Sequence, residues 1–193
     1  MKKGTLFIVS GPSGAGKGTL VSLVLKHLDA IDLSVSATTR APRTGETDGV
    51  SYRFLSDEQF DKAIADGCFL EWAHIHGARY GTLTNEVERV LASGRDLILE
   101  IDVQGGAQVR ARCPDAVLIF IEPPSLEELE KRLRARNTDS DLGIKQRLAA
   151  AKLELEQKKR YNAVVVNDDL NLALKQLLDV IEGYRETNLF TIA

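Results

Sequence analysis

The sequence is poor in cysteine, in charge of one sign and in long apolar runs, and each shortage removes a class of protein. Two cysteines, Cys68 and Cys113, occur in 193 residues. They lie far apart and in no metal-ligand spacing. That argues against a disulfide-stapled secreted scaffold, and reduced thiols in a cytoplasmic protein are expected. The formal net charge is −3, with no basic excess and no run of lysine or arginine. Wrapping of nucleic acid and binding to a membrane surface are therefore not expected as the main activity. No apolar stretch is long enough to cross a bilayer. The short apolar run after Lys3 leads straight into a glycine-rich loop, so it reads as a core strand and not a signal peptide. Internal repeats and low-complexity tails are also lacking. What is present is a 44% hydrophobic composition, enough for a substantial core in one domain of ordinary size.

The strongest local signal is the run Gly11, Pro12, Ser13, Gly14, Ala15, Gly16, Lys17, Gly18, Thr19 after the apolar segment Thr5–Val9. Strand, glycine spacing, lysine and helix occur in the order of a phosphate-binding loop. Glycines let successive backbone N–H groups point at phosphate oxygens. Lys17 adds a mobile charge over the β- and γ-phosphates, and the helix that follows offers its positive end. A nucleoside triphosphate is the expected ligand. Gly18 stands where the motif expects Ser or Thr, and Thr19 comes one residue later. The hydroxyl that usually ligates Mg²⁺ is thus missing or displaced. The Gly-Lys-Gly-Thr ending resembles the loop of adenylate kinases, where nucleotide and water largely hold the metal.

Strand-length apolar runs recur at Thr5–Val9, Leu97–Ile101, Val117–Ile121 and Ala163–Val166. Each reads as a strand buried on both faces, as in a parallel sheet. Amphipathic helices lie between them, one opening at Ser125 with Glu128 three residues on, a capping box. A doubly wound α/β domain follows, with a parallel sheet core and helices on both faces. Two stretches break the rhythm. Residues 34–81 alternate in short segments and read as a small, mostly β insertion with one helix, capped by Ser56 and Gln59. Residues 132–147 are arginine-rich and enclose a polar loop, an arginine-bearing lid. The core is then 1–33, 82–131 and 148–193.

Several clusters carry chemistry. Arg40 and Arg43 flank a proline and can converge on one phosphate. Tyr52 and Tyr80 can add hydroxyl donors, or else pack a small sheet. Glu71 lies inside the apolar run Phe69–Ala73 and is costly there unless paired. An internal arginine is one partner; a ligand with adjacent N–H donors, such as guanine, is another. Glu100 and Asp102 end an apolar strand, at the sheet edge where ligands bind in doubly wound folds, or else cap the next helix. Arg132 and Arg136 share a helix face, with Arg147 beyond. They suit a lid that stabilises transferring phosphate, or a solvated face paired to Glu127, Glu128 and Glu130.

Taken in order, these residues resemble the guanylate kinase family nearly end to end. The resemblance is carried by Gly11-Pro-Ser-Gly-Ala-Gly-Lys17, Ser34-Val-Ser36, Thr38-Thr-Arg40, Pro42-Arg43, Phe69-Leu-Glu71, Tyr80-Gly-Thr82, Ile101-Asp102-Val-Gln-Gly105, Pro123-Pro-Ser125 and Val166-Asn-Asp168. It implies a P-loop nucleoside monophosphate kinase that transfers the γ-phosphate of ATP to GMP with Mg²⁺, with 34–81 as a GMP-binding insertion. It implies that Ser36, Glu71, Thr82 and Asp102 read guanine and that Arg40, Arg43, Tyr52 and Tyr80 grip the GMP phosphate. Arg132, Arg136 and Arg147 would serve the transfer site and lid, and Asn167 would lie near adenine. The chain departs from the family pattern at Gly18, at Glu100 where Asp is usual, and at Asn137 where Gly is usual. Three rivals remain at this stage. They are a phosphopeptide-binding scaffold domain related to the family, a sugar-phosphate kinase of related fold, and a mononucleotide kinase of other base preference. A monomer or weak homo-oligomer is expected.

Overall fold

The computed structural model describes residues 3–75, 77–135 and 140–187. In chain order the elements are β1 (Leu6–Ser10), α1 (Lys17–His27), β2 (Ile31–Leu33), β3 (Ala37–Thr38), β4 (Arg53–Phe54), α2 (Asp57–Ala65), β5 (Phe69–Ile75) and β6 (Ala78–Leu83). They continue as α3 (Thr84–Ala92), β7 (Asp96–Glu100), α4 (Val103–Arg112), β8 (Val117–Glu122), α5 (Leu126–Ala135), α6 (Asp141–Glu156), β9 (Ala163–Val166) and α7 (Leu170–Thr187). The fold is α/β, with parallel strands and helical connections, as the apolar runs predict.

Two compact units divide the chain. The first holds residues up to Leu6, Ala30–Leu99 and Gln104–Ala116; the second holds Phe7–Asp29, Glu100–Val103 and the residues from Val117 onward.

The first unit contains a four-stranded sheet in the order β4-β3-β6-β5. β3 pairs parallel with β4, and β6 lies antiparallel to both β3 and β5. Beneath it Phe60 of α2 stacks on Phe69 of β5, ring centroids 4.4 Å apart, around buried Ala37. The predicted box opens α2: Ser56 accepts from the Gln59 N–H while the Gln59 side chain accepts from the Ser56 N–H. β2 and β7 also pair here, parallel, with Ile31 opposite Asp96. β2 has three residues, too short for its period to be read.

In the second unit β8 runs parallel between β1 and β9, with Val9 opposite Ile119 and Ile121 opposite Val165. All five β1 residues are buried, which is why that run shows no alternation. The expected strands at Thr5–Val9 and Leu97–Ile101 are each displaced by one residue, within the usual scatter of element ends. α1 packs on α7, and α5 and α6 share a core of Leu129, Leu133, Ile144 and Ala151. At the start of α5 the Ser125 hydroxyl accepts from the Glu128 N–H at 3.1 Å. The Glu128 carboxylate instead faces Lys131 and Arg132.

Candidate functional site

In the second unit the loop between β1 and α1 is shaped by glycine. Gly11 and Gly16 have φ of 145° and 91°. A Cβ at Gly11 would lie 2.1 Å from the Ile121 carbonyl oxygen, and one at Gly16 would lie 2.3 Å from Asn167 Nδ2. Both positions therefore exclude a side chain on two counts. Gly16 serves as the N-cap of α1 with no side-chain cap, so the first N–H groups of the helix have no side-chain acceptor at that cap. Gly18 differs. It lies in the first turn of α1, and a Cβ there would sit 3.4 Å from Glu100 Oε2, an ordinary contact. A cavity of about 300 Å³ is lined by Ser13, Gly14, Gly16, Lys17, Gly18, Thr19 and Glu100.

Lys17 folds over its own loop, its Nζ donating to Gly11 O at 2.6 Å and Pro12 O at 3.0 Å. Ala15 N–H closes the turn on Pro12 O. Arg147 reaches the loop from α6 and donates to Ser13 Oγ at 2.8 Å. Asn167, buried, donates through Nδ2 to Ala15 O at 2.8 Å. It thereby braces the loop that its neighbour Gly16 must clear. Ser10 Oγ donates to the Asp102 carbonyl at 3.4 Å. Burial pushes the Glu100 carboxyl up, against the opposing pull of Lys17. Arg132 pairs along its own helix with Glu128, at 3.5 Å. Arg136 and Asn137 lie outside the described residues. Glu154 on α6 is a residue the sequence reading missed. Its carboxyl is raised by burial and further by Asp102, and is pulled down by Lys17. Its only sequence signal is its place seven residues, two turns, beyond Arg147.

The first unit gathers the other set. Arg40 donates through Nε to Tyr80 Oη at 3.2 Å, and its guanidinium lies 5.3 Å from the Tyr52 ring centre. It makes a bidentate pair with Glu46, at 2.8 and 3.0 Å. The Arg43 N–H donates to the same carboxylate at 2.7 Å. Glu46 is the second residue the sequence reading missed; it sits three past Arg43 in a polar turn. The Arg40 guanidinium beside it holds its carboxyl below the usual range, helped by the Arg43 N–H, and the Arg40 charge is firmly retained. Deeper in, Thr82 Oγ1 donates to Glu71 Oε1 at 2.6 Å. Glu71 is 4% exposed and Thr82 is fully buried. The carboxylate in the apolar strand is therefore met by a hydroxyl from the paired strand. Ser36 is half-buried just before β3, its carbonyl accepting from Arg53 N–H.

A family model described as guanylate kinase matches residues 3–184. A guanylate kinase of Fusobacterium nucleatum subsp. nucleatum is 50% identical over 183 residues, covering 95% of this chain and 98% of that protein. A guanylate kinase of Neisseria gonorrhoeae is 50% identical over 184 residues, covering 95% and 90%. Among solved structures, guanylate kinase from Anaplasma phagocytophilum superposes with a TM-score of 0.79 at 29% identity, over 98% of this chain and 89% of that one.

Proposed function

The chain belongs to the guanylate kinase family, and from that premise we propose how its residues perform the reaction. It is an ATP:GMP phosphotransferase, converting ATP and GMP to ADP and GDP. The scaffold and sugar-phosphate readings are not favoured by these relatives. ATP binds through the loop Gly11–Thr19, with main-chain N–H groups and Lys17 on its phosphates. Asn167 keeps that loop in shape from the side where adenine is expected. GMP binds in the 34–81 insertion, its phosphate on Arg40, Arg43, Tyr52 and Tyr80. Its base meets Glu71, Thr82 and Ser36.

A GMP phosphate oxygen attacks the γ-phosphorus in line while the bond to the ADP oxygen breaks. Little covalent chemistry falls to the protein, so catalysis is positioning and charge neutralisation, with no general base or covalent intermediate. Lys17 neutralises the β- and γ-oxygens. Arg132, Arg136 and Arg147, in the 132–147 lid, add positive charge as the phosphate moves. Mg²⁺ fits this donor set as a companion of ATP. Among the described residues no three His, Cys, Asp or Glu side chains group to hold a metal, and Glu100 borders the loop cavity. Mg²⁺ keeps several waters and takes one or two carboxylates plus phosphate oxygens, so Glu100 and Thr19 would contact it or its waters. When bound it neutralises charge on the phosphates.

The observation that most supports GMP as acceptor is the buried Glu71–Thr82 pair. A buried carboxylate accepts from the N1–H and 2-amino groups of guanine, and adenine lacks that face. ADP formation measured with GMP, AMP, UMP and ribose bisphosphate tests the reading. Turnover with GMP far above the others is expected. Equal turnover with AMP, or turnover with ribose bisphosphate, would contradict it. No described helix is long and apolar enough to cross a membrane; we read the enzyme as cytoplasmic, acting as a monomer or weak homo-oligomer on small nucleotides without nucleic acid.

A further inference from the structure

β5 does not run in simple register with β6. Phe69 lies opposite Leu83, yet Glu71 lies opposite Thr82. Two steps on β5 match one on β6, which is a bulge at Leu70. A one-residue slip changes which face every later side chain occupies. The bulge is thus what sets Glu71, and not Leu70, beside the Thr82 hydroxyl. It also draws the strands close. A Cβ at Gly81 would lie 2.8 Å from the Phe69 ring and 3.0 Å from Glu71 O.

A bulge leaves backbone groups without ladder partners, and β5 is the edge strand of its sheet. Two side chains of α4 supply the missing bonds. Arg112 Nη1 donates to Phe69 O at 2.6 Å and to Leu70 O at 2.9 Å. Gln108 accepts from Trp72 N–H at 3.2 Å and donates through Nε2 to Trp72 O at 2.8 Å. The two residues are four apart, one turn on one face of the helix. Between them they hold the main chain on both sides of Glu71, and none of these four bonds is to the Glu71 side chain. The Gln108 amide pairs with Trp72 as a neighbouring strand would, with one donor and one acceptor.

We propose that Gln108 and Arg112 are positioning residues for acceptor-base specificity, holding the Leu70 bulge so that Glu71 meets guanine in the correct plane. The proposal rests on the reading of Glu71 as the guanine acceptor. Two carboxylate oxygens must meet two donors at once, N1–H and the 2-amino group. A small rotation of the strand spoils the second bond first. IMP, which lacks the 2-amino group, is therefore the diagnostic competitor.

Gln108→Leu and Arg112→Met should each lower the ratio of kcat/KM for GMP over IMP by roughly tenfold, through KM for GMP, with KM for ATP unchanged. Arg112→Lys keeps one charged donor and should recover part of the ratio. Gln108→Glu keeps the acceptor for Trp72 N–H, loses the donor, and serves if Gln108→Leu fails to fold. In a Glu71→Gln background, Gln108→Leu should lower the ratio no further, since both act through one carboxylate. Variants that melt earlier but keep the wild-type ratio would overturn the proposal, as would an additive loss in the double variant. If Glu71→Gln itself leaves the GMP over IMP ratio unchanged, the reading beneath it fails as well.

Discussion

Lys17 and Arg40 are both cations held by partners within their own unit, and the partners differ in kind. Lys17 donates to two main-chain carbonyls of its own loop. Arg40 donates to a carboxylate, a phenol and one carbonyl, using four of its five N–H groups. Around Lys17 the geometry comes mainly from backbone torsions at Gly11 and Gly16, with Asn167 and Arg147 bracing the loop from outside. Around Arg40 it comes from Glu46, Tyr80 and Tyr52, and around Glu71 from Thr82. A site made of main chain is insensitive to most side-chain changes and acutely sensitive at its glycines. A site made of charge-assisted side-chain bonds loses its aim when any one member is cut. The first suits phosphates, which every nucleotide shares. The second suits an acceptor that must be told from close analogues.

The largest effect expected from this contrast is on base choice. Wild type should prefer GMP to AMP by about 10⁴ in kcat/KM, because adenine leaves a buried acceptor unmatched. Glu71→Gln should remove most of that preference. Comparable efficiencies for the two nucleotides in wild type would break the contrast at its acceptor end. Next in size is Lys17→Met, which should lower kcat by roughly 10² to 10³ while circular dichroism and melting stay near wild type. A folded variant with near-normal turnover would mean the loop lysine is dispensable.

Glu46→Ala should raise KM for GMP roughly three- to tenfold and leave KM for ATP alone, because Arg40 loses its bidentate anchor. Steady-state kinetics with each substrate varied would decide it; a fall in KM would instead make Glu46 a competitor of the phosphate. Gly18→Ser is smaller. The position is helical and a Cβ fits, so the fold should tolerate it and gain about 0.5 kcal/mol of helix propensity. Its hydroxyl should lower the Mg²⁺ needed for half-maximal rate by a few fold. No change in a Mg²⁺ titration, together with loss on Thr19→Ala, would assign that task to Thr19.

The smallest effect separates three carboxyls by sign, Glu100 and Glu154 near Lys17 from Glu46 beside Arg40. Burial raises the Glu100 and Glu154 carboxyls above the ordinary glutamate value of 4.5. Between that value and the raised ones the folded chain holds more protons than the unfolded chain, so stability falls as pH rises through the window. Glu46 is lowered instead; its contribution is present above 4.5 and is lost as pH falls through its folded value. Glu100→Gln should flatten the first slope and Glu46→Gln the second, in melting profiles from pH 3 to 8. Unchanged profiles would contradict both assignments.

Much of this was legible in the sequence for physical reasons. The phosphate loop is local: strand, glycines, lysine and helix follow one another, so spacing alone reports them. The Ser56–Gln59 box and β9 are local in the same way. The side-chain network was not. Glu46 reads as one more polar residue in a turn, and Glu154 as a charge on a long helix. Gln108 and Arg112 read as a solvated face until the edge of β5 is set beside them, 36 to 43 residues away in sequence. The bulge at Leu70 has no sequence signature, because Phe69, Leu70, Trp72 and Ala73 are apolar on both faces. Glu71 was found from its cost in that run, and its hydroxyl partner Thr82 from the resemblance alone.

Calorimetric binding of ADP and of GMP to wild type, Lys17→Met and Glu71→Gln tests the central claim, two nucleotide sites built by different means in the two units. Lys17→Met should weaken ADP and leave the Kd for GMP within about twofold, and Glu71→Gln should weaken GMP by tenfold or more and leave ADP unchanged. Either substitution weakening both nucleotides by the same factor would contradict it.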